Sequence, residues 1–403
     1  MTIASSMRQS TTSLMQSHLK IFLSLSFVLT GCATLPPAID RATAAPELRG
    51  AIWGIDVQDD SGRVLYQRNA HTLLMPASNR KLFAASTTID CFGFDHQFAT
   101  ELWLDGTNVV IRGGADPSLG GRWAFDRDAV FTTFVDALRA RGIRAVDDVI
   151  ADPSMFDRTT IPGSWKFGNL GSDYAVPVDA LAYNENAVEG MAVTDPALYV
   201  AQAFRDSLRN AGIEVRGMTW VSTTPRTWQE RIAVMQSPFL SQLTATMLKV
   251  SQNLYAEMLF KATAGTYEGA EDLERAFLMS QVSIDGSEFR FVDGCGLAPD
   301  DLVTPSAVVA LLRWMNAPQR RGSFWDLLAT PGEEGTLHRR LVPLASRLRG
   351  KTGTIAGVNA LSGIIAGTHG GFRYFSIIIN HHIAESSAAT RAIDAVVNAI
   401  ADF

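Results

Sequence analysis

Ser78-Asn79-Arg80-Lys81 opens a stretch of sequence that carries both a local fold and a candidate chemistry. Residues 82–89 follow it with apolar side chains at the spacing of one helix face, which predicts a helix from Ser78 onward. Three positions separate Ser78 from Lys81, so the two side chains project from the same side of the first helical turn. We therefore expect the hydroxyl and the amine to be in contact.

Two further short motifs follow in order, Ser251-Gln252-Asn253 and Lys351-Thr352-Gly353-Thr354. Another Ser-x-x-Lys pattern occurs at Ser17-His18-Leu19-Lys20, so this pattern has little value on its own. The ordered trio selects Ser78 over Ser17, because a helix-like run follows its first motif and a strand-like run follows its third. The trio predicts an acyl transferase with an active-site serine whose base is a lysine instead of a histidine.

Each motif residue offers a distinct chemical role. Ser78 is the predicted nucleophile and Lys81 its base, which must be a neutral amine to accept the serine proton. The pKa of Lys81 must therefore fall, through desolvation or through crowding by positive charge, and Lys351 would supply that crowding as a second ammonium in the same cleft. Ser251 is suited to pass a proton to the leaving amine, and Asn253 to hold a substrate amide through its carboxamide. Without the trio, Lys81 would be interpreted as a solvated helix lysine and Ser251 as a helix N-cap.

Other classes of function find little support in the sequence. The net charge is -6, the isoelectric point is about 5.7, and no basic run extends beyond Arg339-Arg340, which argues against nucleic-acid binding. The chain has no His-Glu-x-x-His pattern, and the histidines of His381-His382 are adjacent instead of one helical turn apart. The sequence therefore predicts neither a metal ion nor a cofactor.

Length and motif spacing predict a discontinuous fold. The chain has 403 residues, of which 47% are hydrophobic, so it can bury a large core and is long for one domain. The interval between Ser78 and Ser251 is longer than one helical subdomain needs, and residues 98–238 alternate short strands with turns. We predict a β-rich inserted domain there, between the two halves, 48–97 and 239–403, of an α+β domain. Strands near both ends of that domain would form one antiparallel sheet.

The N-terminus predicts export and lipidation. Residues 1–31 have a lysine before an apolar run that is too short to span a bilayer, as in a signal peptide. Leu29-Thr30-Gly31-Cys32 resembles the bacterial lipoprotein cleavage box, which makes Cys32 the predicted lipidation site; the alternative is an ordinary cysteine after a simple secretory signal. Ala33 favours the outer membrane in an enterobacterium-like sorting scheme, so we predict a periplasmic, membrane-anchored protein. Residues 32–47, rich in Ala and Pro, would form a tether.

Longer stretches extend the pattern beyond the trio. Leu74-Met75-Pro76-Ala77-Ser78 leads to the nucleophile, and Asp293-Gly294-Cys295-Gly296-Leu297 runs on to Val303-Thr304-Pro305. From about residue 52 to the C-terminus, the chain resembles the low-molecular-weight penicillin-binding proteins of the D-alanyl-D-alanine carboxypeptidase/endopeptidase family, class C type. The resemblance implies their transpeptidase-like fold, which is shared with the serine β-lactamases and combines an antiparallel sheet with helices.

The same resemblance implies a function and a substrate site. It implies a serine D-alanyl-D-alanine carboxypeptidase/endopeptidase that cleaves peptidoglycan stem peptides through an acyl-enzyme and is inhibited by β-lactam antibiotics. Thr352, Gly353 and Thr354 would border a substrate that is added to the sheet edge as a strand. Gly353 has no side chain to obstruct that approach. The backbone N–H groups of Ser78 and Thr354 would form the oxyanion hole.

Three alternatives remain open. A class A β-lactamase needs a glutamate to activate the deacylating water, and Glu185 is the nearest candidate, although Asn184-Glu185-Asn186 matches the peptidase family better. A D-amino-acid esterase or amidase would use the same acyl-enzyme chemistry. A non-catalytic scaffold with the penicillin-binding fold is disfavoured because the motif trio is intact.

One position departs from the family that the chain resembles. Its members carry an arginine, associated with gripping the zwitterionic end of a diaminopimelate side chain, where this chain has Pro299. Asp300 and Asp301 follow, so negative charge replaces a cationic fork. Asp152 is the candidate for the acidic half of that grip, although an aspartate before a proline is typical of a turn. We therefore predict weak discrimination for a carboxylate at the end of the stem side chain.

Overall fold

The computed structural model describes residues 35–124, 129–368 and 370–403. The predicted signal peptide, residues 1–31, and the predicted lipidation site, Cys32, lie outside these residues. In the part of the chain that the structure describes, no helix is long and apolar enough to cross a membrane.

The described residues form helices and short strands throughout. The helices are, in chain order, α1 (Leu35–Ala42), α2 (Arg80–Phe92), α3 (Thr132–Ala140), α4 (Pro196–Asn210), α5 (Leu240–Lys249), α6 (Asn253–Ala262), α7 (Tyr267–Phe277), α8 (Pro305–Met315), α9 (Arg321–Trp325) and α10 (Ser386–Asp402). The strands are β1 (Ile52–Asp59), β2 (Val64–Arg68), β3 (Ala99–Asp105), β4 (Asn108–Arg112), β5 (Ala145–Val146), β6 (Val149–Asp152), β7 (Ala187–Val188), β8 (Met191–Ala192), β9 (Glu214–Val215), β10 (Thr219–Val221), β11 (Glu230–Gln236), β12 (Phe289–Arg290), β13 (Leu302–Val303), β14 (Leu348–Ile355), β15 (Val358–Ala366) and β16 (Phe372–Asn380).

One antiparallel sheet joins the two ends of the described chain. Its strand order is β14-β15-β16-β1-β2, and Ile52 of β1 pairs with Asn380 of β16. Alternate residues of β15 enter two different hydrophobic clusters: Ile364 packs with α8 on one face and Ile365 with α10 on the other. Burial on both faces explains why β15, in the interior of the sheet, is mostly apolar. The predicted sheet built from distant segments is confirmed.

Helix α2 runs through the larger hydrophobic core. Its first ten residues are all buried, and they contact helices α5, α6, α7 and α8. A helix enclosed in this way is rigid, because every rotamer change meets a packed neighbour. Ser78 precedes the first residue of this helix, so the nucleophile is attached to the most enclosed element of the fold.

A second five-stranded sheet lies within the region predicted as an insertion. Its order is β10-β6-β4-β3-β11, and helices α3 and α4 cover it with their own hydrophobic cluster. Helix α3 had no counterpart in the sequence-based expectation. Phe156, Trp165 and Val178 from the same region pack into the larger core instead. The boundaries 98–238, 48–97 and 239–403 remain predictions.

The predicted tether over residues 32–47 is corrected by helix α1. Leu35 and Ile39, four positions apart, share one helix face and are buried in the cluster that contains α10. Pro36 and Pro37 suggested an extended tether, but prolines in the first helical turn remove no internal hydrogen bond. Residues 35–47 are part of the folded unit.

Candidate active site

Ser78 lies in a single 3-10 turn, Ala77–Asn79, directly before α2. Ala77 has a φ of +47°, a left-handed conformation that costs a residue with a Cβ about 1–2 kcal/mol. Gly296 packs against the carbonyl of Ala77 so closely that a Cβ at this glycine would overlap the oxygen. Close packing from the segment 293–297 therefore holds the strained turn and leaves Ser78 half-buried at its edge.

Lys81 places its amine against the nucleophile. Its Nζ lies 2.8 Å from Ser78 Oγ, 2.7 Å from Asn253 Oδ1 and 2.9 Å from the backbone oxygen of Cys295. The last two oxygens can only accept, so they take two N–H groups of the amine. The remaining position on Nζ, which carries the lone pair in the neutral form, faces the Ser78 hydroxyl. A general base needs this geometry.

Burial lowers the pKa of Lys81, because its enclosed amine loses the water that stabilises an ammonium. The acidic groups around it, Cys295, Asp293 and Glu257, oppose this shift. Of the two causes expected from the sequence, desolvation is therefore the larger, and the charge of Lys351 is not among the main effects on Lys81. The repulsion between the two amines affects Lys351 instead. Burial, together with the charge of Lys81, holds the pKa of Lys351 well below its usual value.

Lys351 and Ser251 form the second half of the site. Lys351 Nζ lies 2.8 Å from Ser251 Oγ and 2.8 Å from the backbone oxygen of Thr352. Ser251 has a φ of +65°, so the loop before α6 is strained where it presents this hydroxyl. Asn253 begins α6, and its Nδ2 donates to the backbone oxygen of Tyr174 at 2.7 Å. The structure thus brings all five predicted catalytic residues together.

A cavity of about 460 Å³ opens over these residues. Lys166 is its one charged lining residue within the described chain. The cavity is lined by Ser78, Lys166, Asn169, Tyr174, Ser251, Asn253, Gly296, Leu297, Thr354, Ile355 and Ala356. The walls come from segments that are far apart in the sequence, and they leave the Ser78 hydroxyl accessible to a small extended substrate.

The three residues expected to border the substrate have different environments. Thr354 is exposed and lines the cavity, whereas Thr352 is buried. A Cβ on Gly353 would lie 2.7 Å from the backbone oxygen of Pro76 and 3.2 Å from the nitrogen of Ser78. This glycine is therefore required by the nucleophile turn that packs against it, and the sequence-based reason, access for the substrate, is corrected.

A buried acid pair lies beneath the nucleophile turn. Hydrogen bonds outweigh the effect of burial and lower the pKa of Asp293, with the bond from Asp301 contributing most. Burial and the Asp293 carboxylate raise the pKa of Asp301 well above its usual value. Asp301 is therefore a neutral acid inside the protein, and the negative charge predicted for it beside the substrate is absent. Asp293 also accepts N–H groups from Cys295, Gly296, Leu297, Ala298 and the Trp165 indole.

Asp152, predicted to contact substrate, lies elsewhere. It ends β6, is fully buried and does not line the cavity. Its carboxylate accepts the Trp228 indole N–H at 2.6 Å and the Ser154 N–H at 3.0 Å, with Arg112 Nε at 3.8 Å. The prediction is corrected: a carboxylate satisfied in this way supports a turn and has no free face for a ligand.

One wall of the cavity has no counterpart among the sequence motifs. Lys166, Asn169 and Tyr174 lie on a loop without any recognisable motif. Two long-range hydrogen bonds hold this loop, one from the Trp165 indole to Asp293 at 2.9 Å and one from Asn253 to the Tyr174 oxygen. These partners are distant in sequence, so only the folded structure identifies the loop.

A metal ion has a poor fit near the site. Glu257, Asp293 and Cys295 bring three donor atoms within 4.8 Å of one another. Asp293 already accepts several N–H groups, and burial raises the pKa of the Cys295 thiol well above its usual value. Burial also raises the pKa of Glu257 to about 7. Cys295 and Cys91 are both free, and the buried one is a protonated thiol.

Residues 35–190 and 185–401 match the D-Ala-D-Ala carboxypeptidase 3 (S13) family. The chain belongs to this family. An S13 peptidase of this kind is a low-molecular-weight penicillin-binding protein and a serine-type D-Ala-D-Ala carboxypeptidase that acts on peptidoglycan. The predicted family, reaction class and fold are confirmed.

Relatives and solved structures agree with this assignment. A D-alanyl-D-alanine carboxypeptidase of Actinomadura sp. (strain R39) is 28% identical, over 91% of this chain and 84% of its own length. Penicillin-binding protein 4 of Haemophilus influenzae matches the S13 peptidase with a TM-score of 0.80 at 19% identity, over 91% of this chain and 99% of its own. A second structure of that protein holds a β-lactam. It matches with a TM-score of 0.73 at 20% identity, over 91% of this chain and 99% of its own. The peptidoglycan endopeptidase Bd3459 of Bdellovibrio bacteriovorus matches with a TM-score of 0.59 at 16% identity, over 87% of this chain and 92% of its own. At these identities the structures support the fold.

Proposed function

We propose that the S13 peptidase hydrolyses D-Ala-D-Ala bonds through an ester on Ser78, with Lys81 as the general base. The observation that carries this proposal is the geometry of Lys81 Nζ. Two fixed acceptors occupy two of its N–H groups, so its lone pair is aimed at the nucleophile 2.8 Å away. A flexible lysine would have no such preference, and only a neutral amine can use it.

The proposed reaction has two steps. Ser78 Oγ attacks the carbonyl carbon between the two D-alanines while Lys81 takes the hydroxyl proton. The C–N bond then breaks, and the leaving amine of D-alanine receives a proton through Ser251, which Lys351 contacts at 2.8 Å. In the second step, water attacks the ester carbonyl and frees the Ser78 hydroxyl and the shortened peptide. The N–H groups of Ser78 and Thr354 would stabilise both oxyanions.

We extend the proposal to cross-linked peptides and to β-lactams. The cavity is open at its rim, so an amine that belongs to a longer peptide can leave as D-alanine does. Among the similar structures, Bd3459 is a peptidoglycan endopeptidase, and the H. influenzae protein has been solved with a β-lactam. These similarities support a carboxypeptidase/endopeptidase that forms a Ser78 adduct with β-lactams.

The β-lactamase alternative is weakened by the position of Glu185. Its carboxylate pairs with Arg122 Nε at 2.5 Å and accepts the side-chain amide of Gln252 at 2.7 Å. Glu185 does not line the cavity over Ser78. A carboxylate held by two donors outside the cavity is unsuited to activate a water beside the acyl-enzyme, so we expect slow release of β-lactams.

Incubation with a fluorescent penicillin and with muropeptides tests the assignment. We expect a penicillin adduct whose mass maps to Ser78, and release of D-alanine from pentapeptide muropeptides. Ser78→Ala should lose both, and Ser86→Ala is a matched control, because Ser86 lies on α2 and bonds the Leu82 oxygen. An adduct at another residue, or one that persists in Ser78→Ala, would refute the role of Ser78.

For its location, we propose a periplasmic protein with a lipid on Cys32. Peptidoglycan substrates lie outside the cytoplasm, and the apolar run before Cys32 has the length of a signal peptide. We expect wild-type protein in the membrane fraction and Cys32→Ser in the soluble fraction, since the lipid would be the anchor. Cys91→Ser is the control. Retention of Cys32→Ser in washed membranes would contradict the lipid anchor.

A further inference from the structure

A polar cluster lies behind the part of the sheet edge that faces the cavity. Asn359 of β15 pairs across the strands with Thr354 of β14. Its side chain is buried, and Nδ2 donates one hydrogen to Ser386 Oγ at 2.8 Å and shares the other between Thr354 Oγ1 and Thr390 Oγ1, each at 3.4 Å. Because the Thr354 oxygen accepts this bond from behind, its own hydrogen is free to be donated into the cavity.

His382 fixes the orientation of Asn359. Its Nε2 lies 2.9 Å from Asn359 Oδ1 and its Nδ1 lies 3.1 Å from the backbone oxygen of Ala384. Asn359 Oδ1 can only accept, so the shorter contact is a hydrogen bond when Nε2 of the ring carries a hydrogen. The backbone N–H of His382 also donates to the oxygen of Gly357, in the turn that follows the cavity-lining residue Ala356.

We propose that Asn359 and His382 are positioning residues that set the Thr354 hydroxyl as a hydrogen-bond donor to the terminal carboxylate of the substrate. This inference rests on the proposed function and on the position of Thr354 in the cavity over Ser78. A carboxylate only accepts hydrogen bonds, so the direction in which Thr354 donates decides whether the contact attracts or repels.

The surroundings of His382 contain few other charges. On its own segment, the exposed residues His381 and Glu385 are the neighbouring titratable groups. The turn at Gly357, strand β15 and the start of α10 present backbone oxygens, an amide and hydroxyls to the ring. Within the described chain, no carboxylate forms an ion pair with His382. His382 therefore acts on Thr354 through Asn359, which contacts both residues.

The test compares two peptides that differ only at the C-terminus, one ending in D-Ala-D-Ala with a free carboxylate and one in the carboxamide. We expect wild-type enzyme to prefer the carboxylate in kcat/KM, because the Thr354 hydroxyl can donate to a carboxylate. Asn359→Leu should reduce the preference by about tenfold or more, the usual size of a lost bond to a charged group. Ser386→Ala, which removes another acceptor of the same amide, should keep it.

His382→Gln separates positioning from general damage. A glutamine amide can also donate to Asn359 Oδ1, so this variant should keep the preference for the carboxylate, whereas His382→Leu should reduce it. A wild-type enzyme without a preference for the carboxylate would overturn the inference, as would a folded Asn359→Leu with the wild-type ratio. If Ser78 of the wild type acquires no penicillin adduct, the proposed function itself fails, so the two failures are distinguishable.

Discussion

Lys81 has to be a neutral amine before it can take the proton of Ser78, so the pH dependence of acylation reports on its environment. Burial lowers its pKa, and the active neutral form therefore persists to lower pH than in an exposed lysine, whose pKa is about 10.4. We expect the rate of acylation by a penicillin to rise with pH through the lowered pKa and to become constant below about pH 10. Stopped-flow fluorescence over this range measures the curve.

Lys81→Arg is the matched variant for this residue. Arginine keeps the positive charge but is never deprotonated in proteins, so it cannot serve as a base. We expect a loss of about 100-fold or more at every pH, the usual contribution of a general base. A wild-type rate that still rises at about pH 10, or a Lys81→Arg rate close to wild type, would show that another group accepts the proton.

At the scale of elements, strand β14 and the nucleophile turn have to approach each other closely. A Cβ at Gly353 would lie 3.2 Å from the Ser78 nitrogen, so Gly353→Ala should push the strand away from the turn. Both proposed oxyanion donors sit at this contact, and loss of one such donor typically slows catalysis about 100- to 1,000-fold. We expect an acylation defect of that order with a small change in Tm, measured by penicillin labelling and thermal unfolding.

Gly50→Ala is the control for this substitution. Gly50 lies just before β1 of the same sheet, and a Cβ there would have no neighbour within 4 Å. It should acylate at the wild-type rate. Equal rates in Gly353→Ala and wild type would mean that the turn tolerates the displacement and that its closeness to β14 has no catalytic value.

Elements with a strong local pattern were predictable, and those that depend on distant contacts were not. The periodic apolar pattern of residues 305–315 predicts a helix and the apolar run of residues 372–380 predicts a strand, and the structure has helix α8 and strand β16 with these bounds. Helix α1 was not predicted, because its two prolines suggested a tether. Leu35 and Ile39 bury this helix by packing in the cluster that contains α10, and only the folded structure shows that contact. The loop that carries Lys166 was missed for the same reason.

In the candidate site, the identity of the motif residues was predictable from the sequence and their protonation behaviour was not. The motif trio identified Ser78, Lys81 and Lys351, since their spacing and order follow from the chemistry. The electrostatics did not follow from sequence. Burial, a property of the whole core, dominates the pKa of Lys81, and Asp301 is a neutral acid only because it is buried next to Asp293.

At the scale of the whole molecule, segments from every third of the described chain meet around one cavity. The sheet edge supplies Thr354, helix α6 supplies Asn253, and the region predicted as an insertion supplies Lys166. Lys81 and Lys351 are buried in its floor, so an exposed lysine on a loop is the cation that an incoming substrate meets first. Lys166 forms no ion pair with any described residue.

This charge distribution bears on selectivity for the stem side chain. Pro299 stands where the arginine of the resembled family would grip a side-chain carboxylate, and an exposed ion pair such as one with Lys166 contributes about 0–1 kcal/mol. A tenfold preference requires about 1.4 kcal/mol. We therefore expect two pentapeptide substrates that differ only in the carboxylate at the end of the side chain to differ less than tenfold in kcat/KM.

Lys166→Met identifies the source of any preference that is observed. Because the charge of Lys166 is screened by solvent, this variant should change the ratio of the two constants by no more than a few-fold. Lys249→Met, at a cavity that does not include Ser78, is the matched control and should leave the ratio unchanged. A preference of tenfold or more that disappears in Lys166→Met would mean that a substrate carboxylate desolvates this lysine on binding, and that the loop has taken over the role of the missing arginine.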